Sequence, residues 1–367
     1  MRGQEKSADE KEEEEPSPVI RRAFGETNRA RLLGRWFSEH GAPTVTDAWE
    51  HVYRLLLWID RTTGLAHCYE SDKSQPGRHW YGRSLVFHDW ISGALGVDPA
   101  RLAGEIDWLF KRATEDLAAG IAQQKQRAAT NAVLQRKPYE GRGFPQPGED
   151  PELLAIVAEV LGDYLSNPIP DSVWRAFTDR VRSYLTQENK RRNLVGEGFE
   201  DVLREVVARG SDPTTLQPKT RIPIGGVPGF NAAGKKEKVK KVDLFIRNAE
   251  TGYRTLVTAK WSIRADREEQ FASDFEAYAR LEKDGEPFGY TLVTNEFDAA
   301  RLLAACDRRT GNQPLFTHVV HVNPQGVLAV YGDDPKRAAE TIARHIGSGR
   351  LIGLGQWLEL LPHQRVS

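Results

Sequence analysis

The 367-residue sequence predicts an α/β protein with a central mixed β-sheet flanked by helices, preceded by a mainly helical N-terminal domain. Apolar residues between positions 21 and 136 recur at the three- and four-residue spacings of amphipathic helices. In the second half of the chain, short β-rich runs alternate with helical patterns, as they do in α/β sheets. The hydrophobic content of 39% and the charged content of 28% are those of a soluble globular protein.

The order of these patterns divides the chain into four segments. Residues 1–20 include the like-charge block ADEKEEEEPSP, which cannot bury apolar area and predicts a disordered acidic tail. Residues 21–136 form the predicted helical domain. The proline- and glycine-rich residues 137–150 predict a linker, and residues 151–367 form the predicted α/β domain.

Charge and cysteine usage narrow the function classes only slightly. The formal net charge of −1 gives no global sign of a polyanionic partner, although a local basic field would suffice to bind one. Cys68 and Cys306 lie far apart, and the spacing of His67, His79 and His88 matches no familiar metal-ligand pattern. No apolar run is long enough to span a membrane, so we expect a protein of the reducing cytoplasm with no membrane partner.

The α/β domain is expected to contain three helices before its first strand, and then alternating elements. The third helix, within NKRRNLVGEGFEDVLREVVAR, has an apolar face that predicts burial and an opposite face carrying Glu197 and Glu200. The predicted helices span residues 151–165, 171–186, 189–209, 266–282, 298–307 and 335–346. The predicted strands lie within RIPIGGVPGFNAAG, VDLF, TLVTAKW, FGYTLVTN, THVVHVN and GVLAVYG.

An acidic and a basic residue stand on neighbouring predicted strands at the centre of this domain. Asp243 belongs to VDLF and Lys260 to TLVTAKW, with a turn predicted at residues 248–252 between them. Hydrolysis of a phosphodiester needs a divalent cation, an in-line water and a group that positions this water. Carboxylates are hard oxygen ligands that suit Mg²⁺, and a lysine can hold the water or offset negative charge. The pair alone is a weak signal, because a structural ion pair explains it equally well.

A second motif follows at a fixed distance from the lysine. Arg264, Asp266 and Arg267 stand four, six and seven residues after Lys260. The whole pattern over residues 242–278 resembles the CCGG-recognising Type II restriction endonucleases of the PD-(D/E)-x-K superfamily, and most of all their BsaWI-like members. The resemblance implies a restriction-endonuclease-like core in which Arg264, Asp266 and Arg267 read C·G pairs. Arginine pairs with guanine in the major groove, and a carboxylate accepts from cytosine N4.

The chain departs from the family at two acidic positions. Thr258 stands where the superfamily has its second acid and where the CCGG-recognising enzymes have serine. In those enzymes a glutamate about fourteen residues after the lysine replaces the missing acid, whereas here Asp274 stands there and Glu276 follows two residues later. Asp274 shares a helical face with Arg267, while Glu276 points to the opposite side. Asp274 is therefore the preferred displaced acid, and Glu276 remains the alternative.

The resemblance also implies an acid on an earlier helix and a role for each site residue. Glu200 is the preferred candidate for that acid and Glu197 the alternative. Asp243 and Asp274 would bind Mg²⁺ with help from Glu200, and Lys260 would position the water.

The implied activity is that of a Type II site-specific deoxyribonuclease. It would hydrolyse double-stranded DNA at a palindromic site containing CCGG, in the cytoplasm of a prokaryote. A palindrome implies a homodimer, with a higher oligomer also allowed, and a cognate DNA methyltransferase as functional partner. Two alternatives stay open: a repair-type DNA nuclease of the same fold, and a sequence-specific DNA-binding protein with a decayed nuclease site.

Overall fold

A computed structural model provides the fold of most of the chain. Several sequence predictions lie outside the described residues: the tail before residue 18, residues 143–150 of the linker, nearly all of the helix 151–165, and the base readers Asp266 and Arg267. The described residues are 18–70, 73–142, 155, 159, 170–234, 239–264, 268–332 and 338–365.

A six-stranded mixed sheet forms the centre of the molecule. Its order is β1-β2-β3-β4-β7-β8. The pairs β1–β2 and β2–β3 are antiparallel and the remaining pairs are parallel. Strands β5 and β6 form a separate two-stranded sheet. In chain order the strands are β1 (Leu216–Pro223), β2 (Lys241–Asn248), β3 (Arg254–Lys260), β4 (Gly289–Thr294), β5 (Arg309–Thr310), β6 (Gln313–Pro314), β7 (His318–His321) and β8 (Leu351–Gly353).

Helices precede the sheet and flank it. Before the sheet lie α1 (Pro18–Phe24), α2 (Glu26–His40), α3 (Ala48–Leu56), α4 (His79–Ala94), α5 (Leu102–Glu105), α6 (Trp108–Arg136) and α7 (Asp171–Gly210). Between and after the strands lie α8 (Glu268–Leu281), α9 (Ala299–Asp307), α10 (Pro324–Tyr331), α11 (Ala338–Gly347) and α12 (Leu354–Leu360). Short 3₁₀ turns span Pro99–Arg101, Lys137–Tyr139, Ile224–Gly226 and Leu361–His363.

This architecture confirms the predicted fold class of a central mixed sheet flanked by helices, with a helical N-terminal region. The final part of α7 packs its apolar face on the first three strands, as its pattern predicted. Buried side chains of the N-terminal helices join the same hydrophobic cluster as the sheet. Across this contact the hydroxyl of Tyr53 donates to Asn295 Oδ1 at 2.8 Å. The boundary between two domains stays a prediction.

Three of the predicted elements were wrong in detail. The run GVLAVYG was predicted as a strand, but it lies in helix α10. Asn323 accepts from the backbone N–H of Gln325 as an N-cap, and Pro324 occupies the first turn. A short buried apolar run cannot be told from a buried helix by periodicity alone. The two helices predicted over 171–186 and 189–209 are one helix, since no breaker separates them.

Helices that combine the length and the apolarity needed to cross a bilayer are absent from the described part of the chain.

Candidate active site

Asp243 and Lys260 meet where strands β2 and β3 lie side by side. The register pairs Leu244 with Val257, so Asp243 lies opposite Thr258. One carboxylate oxygen, Asp243 Oδ2, accepts from Lys260 Nζ at 2.6 Å, from the backbone N–H of Ala259 at 2.9 Å and from the Thr258 hydroxyl at 3.3 Å. These contacts fix the orientation of the carboxylate and place a cation directly beside it.

The tight turn between the two strands explains this register. The Asn248 side chain accepts from the backbone N–H groups of Glu250 and Thr251 at 3.0 Å each. Gly252 has a φ of 74°, which glycine adopts without strain. A fixed turn sets the pairing of the strands, and therefore which side chains stand opposite each other.

The acid–lysine pair reaches solvent. The side chains of Asp243 and Lys260 are 21% and 27% exposed, although the strands that carry them are largely buried. Lys260 is the last residue of β3, so its ammonium stands at the edge of the sheet. The pair is therefore accessible to a substrate while its backbone is held by the core.

Helix α7 brings Glu200 to the same place. Its neighbour Phe199 is fully buried and packs edge-on against Trp261, with ring centroids 5.3 Å apart. Burial and then the negative charge of Asp243 raise the pKa of Glu200 to about 7, although a hydrogen bond from Arg221 and the charge of Lys260 act in the opposite direction. Glu200 and Asp243 are thus electrostatically coupled carboxylates.

The alternative acid Glu197 is placed elsewhere. Its side chain is 59% exposed and pairs with Arg29 on helix α2 at 2.7 Å. Glu197 therefore faces the N-terminal helices, whereas Glu200 faces Asp243. The assignment of the assisting acid to Glu200 stays a prediction with this geometry in its favour.

Asp274 lies inside the protein and already has a cationic partner. Its carboxylate forms an ion pair with Lys240, which precedes β2. Burial, followed by the charges of Asp274 and Asp243, raises the pKa of Tyr278, so both acids act on this one phenol. The alternative acid, Glu276, is exposed on α8. Asp274 is therefore nearer to the site, but its role as the displaced acid stays a prediction.

The predicted base readers are only partly described. Arg264 is exposed, and it follows the end of β3 by four residues. Asp266 and Arg267 lie outside the described residues. The base-reading role of all three stays a prediction.

A buried carboxylate that sequence reasoning missed holds the segment leading to Arg264. Glu296 accepts from the backbone N–H of Ile263 at 2.6 Å and from that of Asp298 at 2.7 Å. Burial raises its pKa to about 7, more than these two hydrogen bonds and the charge of Arg301 lower it. The contact joins the chain after β4 to the chain after β3, which no sequence spacing signals.

Arg221 was also missed. Its guanidinium bridges Glu200 at 3.1 Å and Asp201 at 2.6 Å. Its backbone has a φ of 51°, which is uncommon for a residue other than glycine. The sequence carries no signal for this contact, because it depends on the pairing of β1 with β2.

The donor set is compatible with Mg²⁺. In the described part of the chain, no group of three or more His, Cys, Asp or Glu side chains is arranged to hold a metal ion. Mg²⁺ at phosphoryl-transfer sites, however, is usually bound by one or two carboxylates together with substrate phosphates and water. Glu200 and Asp243 supply such oxygens, and a nearby cation would offset the burial and the repulsion from Asp243 that together raise the pKa of Glu200.

Comparisons with known proteins add little to this geometry. No protein-family model and no curated protein sequence matches the chain. Among solved structures, the chain is similar to a restriction endonuclease PspGI–substrate DNA complex, with a TM-score of 0.39 and 10% identity over 91% of this chain and 92% of that chain. So distant a similarity assigns neither a specificity nor a site residue.

Proposed function

We propose that the protein is a Mg²⁺-dependent Type II restriction endonuclease that cuts double-stranded DNA at a palindromic site containing CCGG. The observation that carries the proposal is the contact of Asp243 with Lys260 at 2.6 Å on adjacent strands, at a solvent-accessible edge of the sheet. The coupling of Glu200 to Asp243 supports a hydrolytic site over a simple ion pair.

Each side chain then has a distinct task. Asp243 is oriented by three donors to its Oδ2 atom, and its other oxygen would help to hold Mg²⁺. Lys260 orients the attacking water and offsets the negative charge that develops in the transition state. Glu200 is the assisting acid, which adds a second carboxylate beside Asp243.

Asp243 and Asp274 are the proposed Mg²⁺ ligands, with Glu200 assisting. When bound, the ion supplies Lewis-acid stabilisation of the phosphate. Asp274 pairs with Lys240 through Oδ1, and its second oxygen would serve the ion. Lys240 belongs to the lysine-rich sequence KKEKVKK at residues 235–241, whose positive charge would attract a DNA phosphate.

Sequence reading is assigned to Arg264, Asp266 and Arg267 on the strength of the sequence resemblance. Arg264 is exposed to solvent. The palindromic site calls for a homodimer, or a higher oligomer, so that two active sites meet two strands. A methyltransferase of the same specificity would protect the DNA of the cell, and the cytoplasm of a prokaryote is the expected location.

One observation favours a second candidate, a sequence-specific DNA-binding protein with a decayed nuclease site. The ion pair of Asp274 with Lys240 leaves one proposed ligand neutralised. Such a protein would bind CCGG-containing DNA and leave it intact.

Incubation with plasmid DNA and Mg²⁺ separates the candidates. Discrete fragments that map to CCGG-containing sites support the proposed enzyme. Random degradation favours a repair-type nuclease, and specific binding without cleavage favours the decayed protein. Either of the last two results contradicts the restriction-endonuclease proposal.

Two substitutions separate catalysis from the recognition of DNA bases. Lys260→Ala should abolish cleavage and keep specific binding, because it removes the cation beside Asp243. Arg267→Ala should weaken discrimination by about 1–3 kcal/mol for the lost guanine contact. The exposed Lys283 serves as control, and Lys283→Ala should behave as the unsubstituted protein. Full cleavage by Lys260→Ala would remove this residue from the mechanism.

A further inference from the structure

We propose that Arg221 is a positioning residue of the candidate active site, which holds Glu200 in place and is itself held by an ion-pair network beginning on helix α2. The inference rests on the proposed function and assigns the N-terminal helices a part in it. Arg221 is not assigned to touch substrate; it acts through Glu200.

The pairing of strands β1 and β2 places Arg221 close to Asp243. Strand β1 pairs Thr220 with Leu244 and Ile222 with Val242, so Arg221 and Asp243 both lie between these two pairs. Its guanidinium reaches Glu200 Oε2 at 3.1 Å. The backbone of Arg221 therefore lies close to that of Asp243, while its side chain binds Glu200.

The backbone of Arg221 has a conformation that is sterically unfavourable for a residue with a Cβ atom. A φ of 51° lies in the left-handed region, where the Cβ atom of a residue other than glycine is crowded. Such conformations persist where surrounding contacts over-determine them, and they concentrate at functional sites. The contacts of the guanidinium supply that constraint.

A buried ion-pair network fixes the guanidinium from the other side. Asp201 accepts from Arg221 through Oδ1 and from Arg29 through Oδ2, at 2.6 Å each. The side chains of Arg29 and Asp201 are 3% and 4% exposed. Glu26, also on α2, pairs with Arg221 at 3.0 Å. Buried charges of this kind are costly unless every partner is in place, so the network admits few alternative arrangements.

The network connects the N-terminal helices to the site in a single chain of contacts. Arg29 lies on α2 and also donates to the carbonyl of Phe24, the last residue of α1, at 2.6 Å. Asp201 and Glu200 are adjacent residues of α7, so a contact that fixes the first limits the movement of the second. A shift of α2 would reach Glu200 through three successive ion pairs, from Arg29 to Asp201, from Asp201 to Arg221 and from Arg221 to Glu200.

The test uses the full chain, DNA with a CCGG site, and three substitutions. Arg221→Gly removes the guanidinium and tolerates the positive φ, so the backbone remains unstrained. Arg221→Lys keeps the charge and loses the fork that bridges two carboxylates. Arg204→Gln is the control, because Arg204 lies one turn after Glu200 on α7 and pairs with Glu205 instead.

Loss of positioning should lower the rate of the chemical step and leave binding intact. For Arg221→Gly we expect a single-turnover cleavage rate reduced on the order of 10- to 100-fold. DNA affinity in EDTA should stay within about twofold, since no base contact is lost. Arg221→Lys should fall between this variant and the unsubstituted protein, and Arg204→Gln should match the latter. An unchanged cleavage rate in a folded Arg221→Gly protein, or a loss of DNA affinity equal to the loss of rate, overturns the inference.

A second readout needs neither DNA nor metal. The carboxyl ¹³C resonance of Glu200, identified by its loss in Glu200→Gln, should move at fixed pH in Arg221→Gly and stay in place in Arg204→Gln. An unmoved resonance shows that Arg221 does not hold Glu200. If the unsubstituted protein cuts no DNA while this resonance moves, the proposed function fails and the contact stands.

Discussion

The buried carboxylate of Glu296 gives a prediction about stability that needs no knowledge of the substrate. In Glu296→Gln, a side chain of nearly the same shape loses the ability to ionise. The carboxylate accepts from Ile263 and Asp298, whereas an amide has only one oxygen, so one backbone N–H loses its partner. Relative to the ionised carboxylate, that loss costs about 1–3 kcal/mol.

The pH dependence follows from the direction of the pKa shift. Burial raises the pKa of Glu296 from 4.5 to about 7, so the folded state binds its proton more tightly than the unfolded state does. This carboxyl therefore stabilises the fold fully below its unfolded pKa, and the contribution is lost as the pH rises through the folded value. At 1.36 kcal/mol per pKa unit, the shift corresponds to roughly 3 kcal/mol between pH 4 and pH 8.

Urea unfolding of both proteins at several pH values between 4 and 8 measures this contribution. Glu200 also has a raised pKa and His321 a lowered one, but both groups are present in both proteins, so their effects cancel in the difference. The free energy of unfolding of Glu296→Gln, relative to the unsubstituted protein, should increase by roughly 3 kcal/mol over this range. Glu276→Gln, the same substitution at an exposed site, is the matched control. A pH-independent difference for Glu296→Gln would refute the reasoning.

Two further predictions concern packing, and urea unfolding measures both. A Cβ atom on Gly355 would lie 1.9 Å from the carbonyl oxygen of Val45, so Gly355→Ala should lose about 1–3 kcal/mol, whereas Gly347→Ala, with nothing within 4 Å, should be close to neutral. Equal effects would show that the loop before α3 does not pack on α12. Trp261→Ala removes a buried ring and should cost about 3–5 kcal/mol, while Leu360→Ala, at a side chain that is 36% exposed, should cost far less. A comparable loss in both would contradict the burial of Trp261.

The contact at the centre of the site could be predicted because it is local. Asp243 and Lys260 lie on consecutive strands joined by a tight turn, and the turn residues that fix the register are visible in the sequence. The helical pattern of α7 likewise predicted a buried Phe199 beside Glu200. Where a pattern was ambiguous, as in the apolar run of α10, the prediction was wrong, because a cap and not the periodicity decided the structure.

The remaining site residues depend on contacts between segments far apart in the chain. Arg221 reaches Glu200 only because β1 pairs with β2 and α7 packs on both. Glu296 holds Ile263 only because β3 and β4 end side by side in a parallel pair. Neither contact has a fixed spacing in sequence, so a search for sequence motifs cannot find them.

The helical N-terminal region contacts two separate parts of the candidate site. Through Arg29 it reaches Asp201 and the network around Glu200, and through Tyr53 it holds Asn295, whose backbone N–H donates to the carbonyl of Trp261 at 3.0 Å. The first contact bears on an acid of the site and the second on the chain that leads to Arg264. A region that only bound flanking DNA or joined two copies would need neither buried contact. The position of these contacts therefore argues that the N-terminal helices help to set the geometry of the site, whatever else they bind.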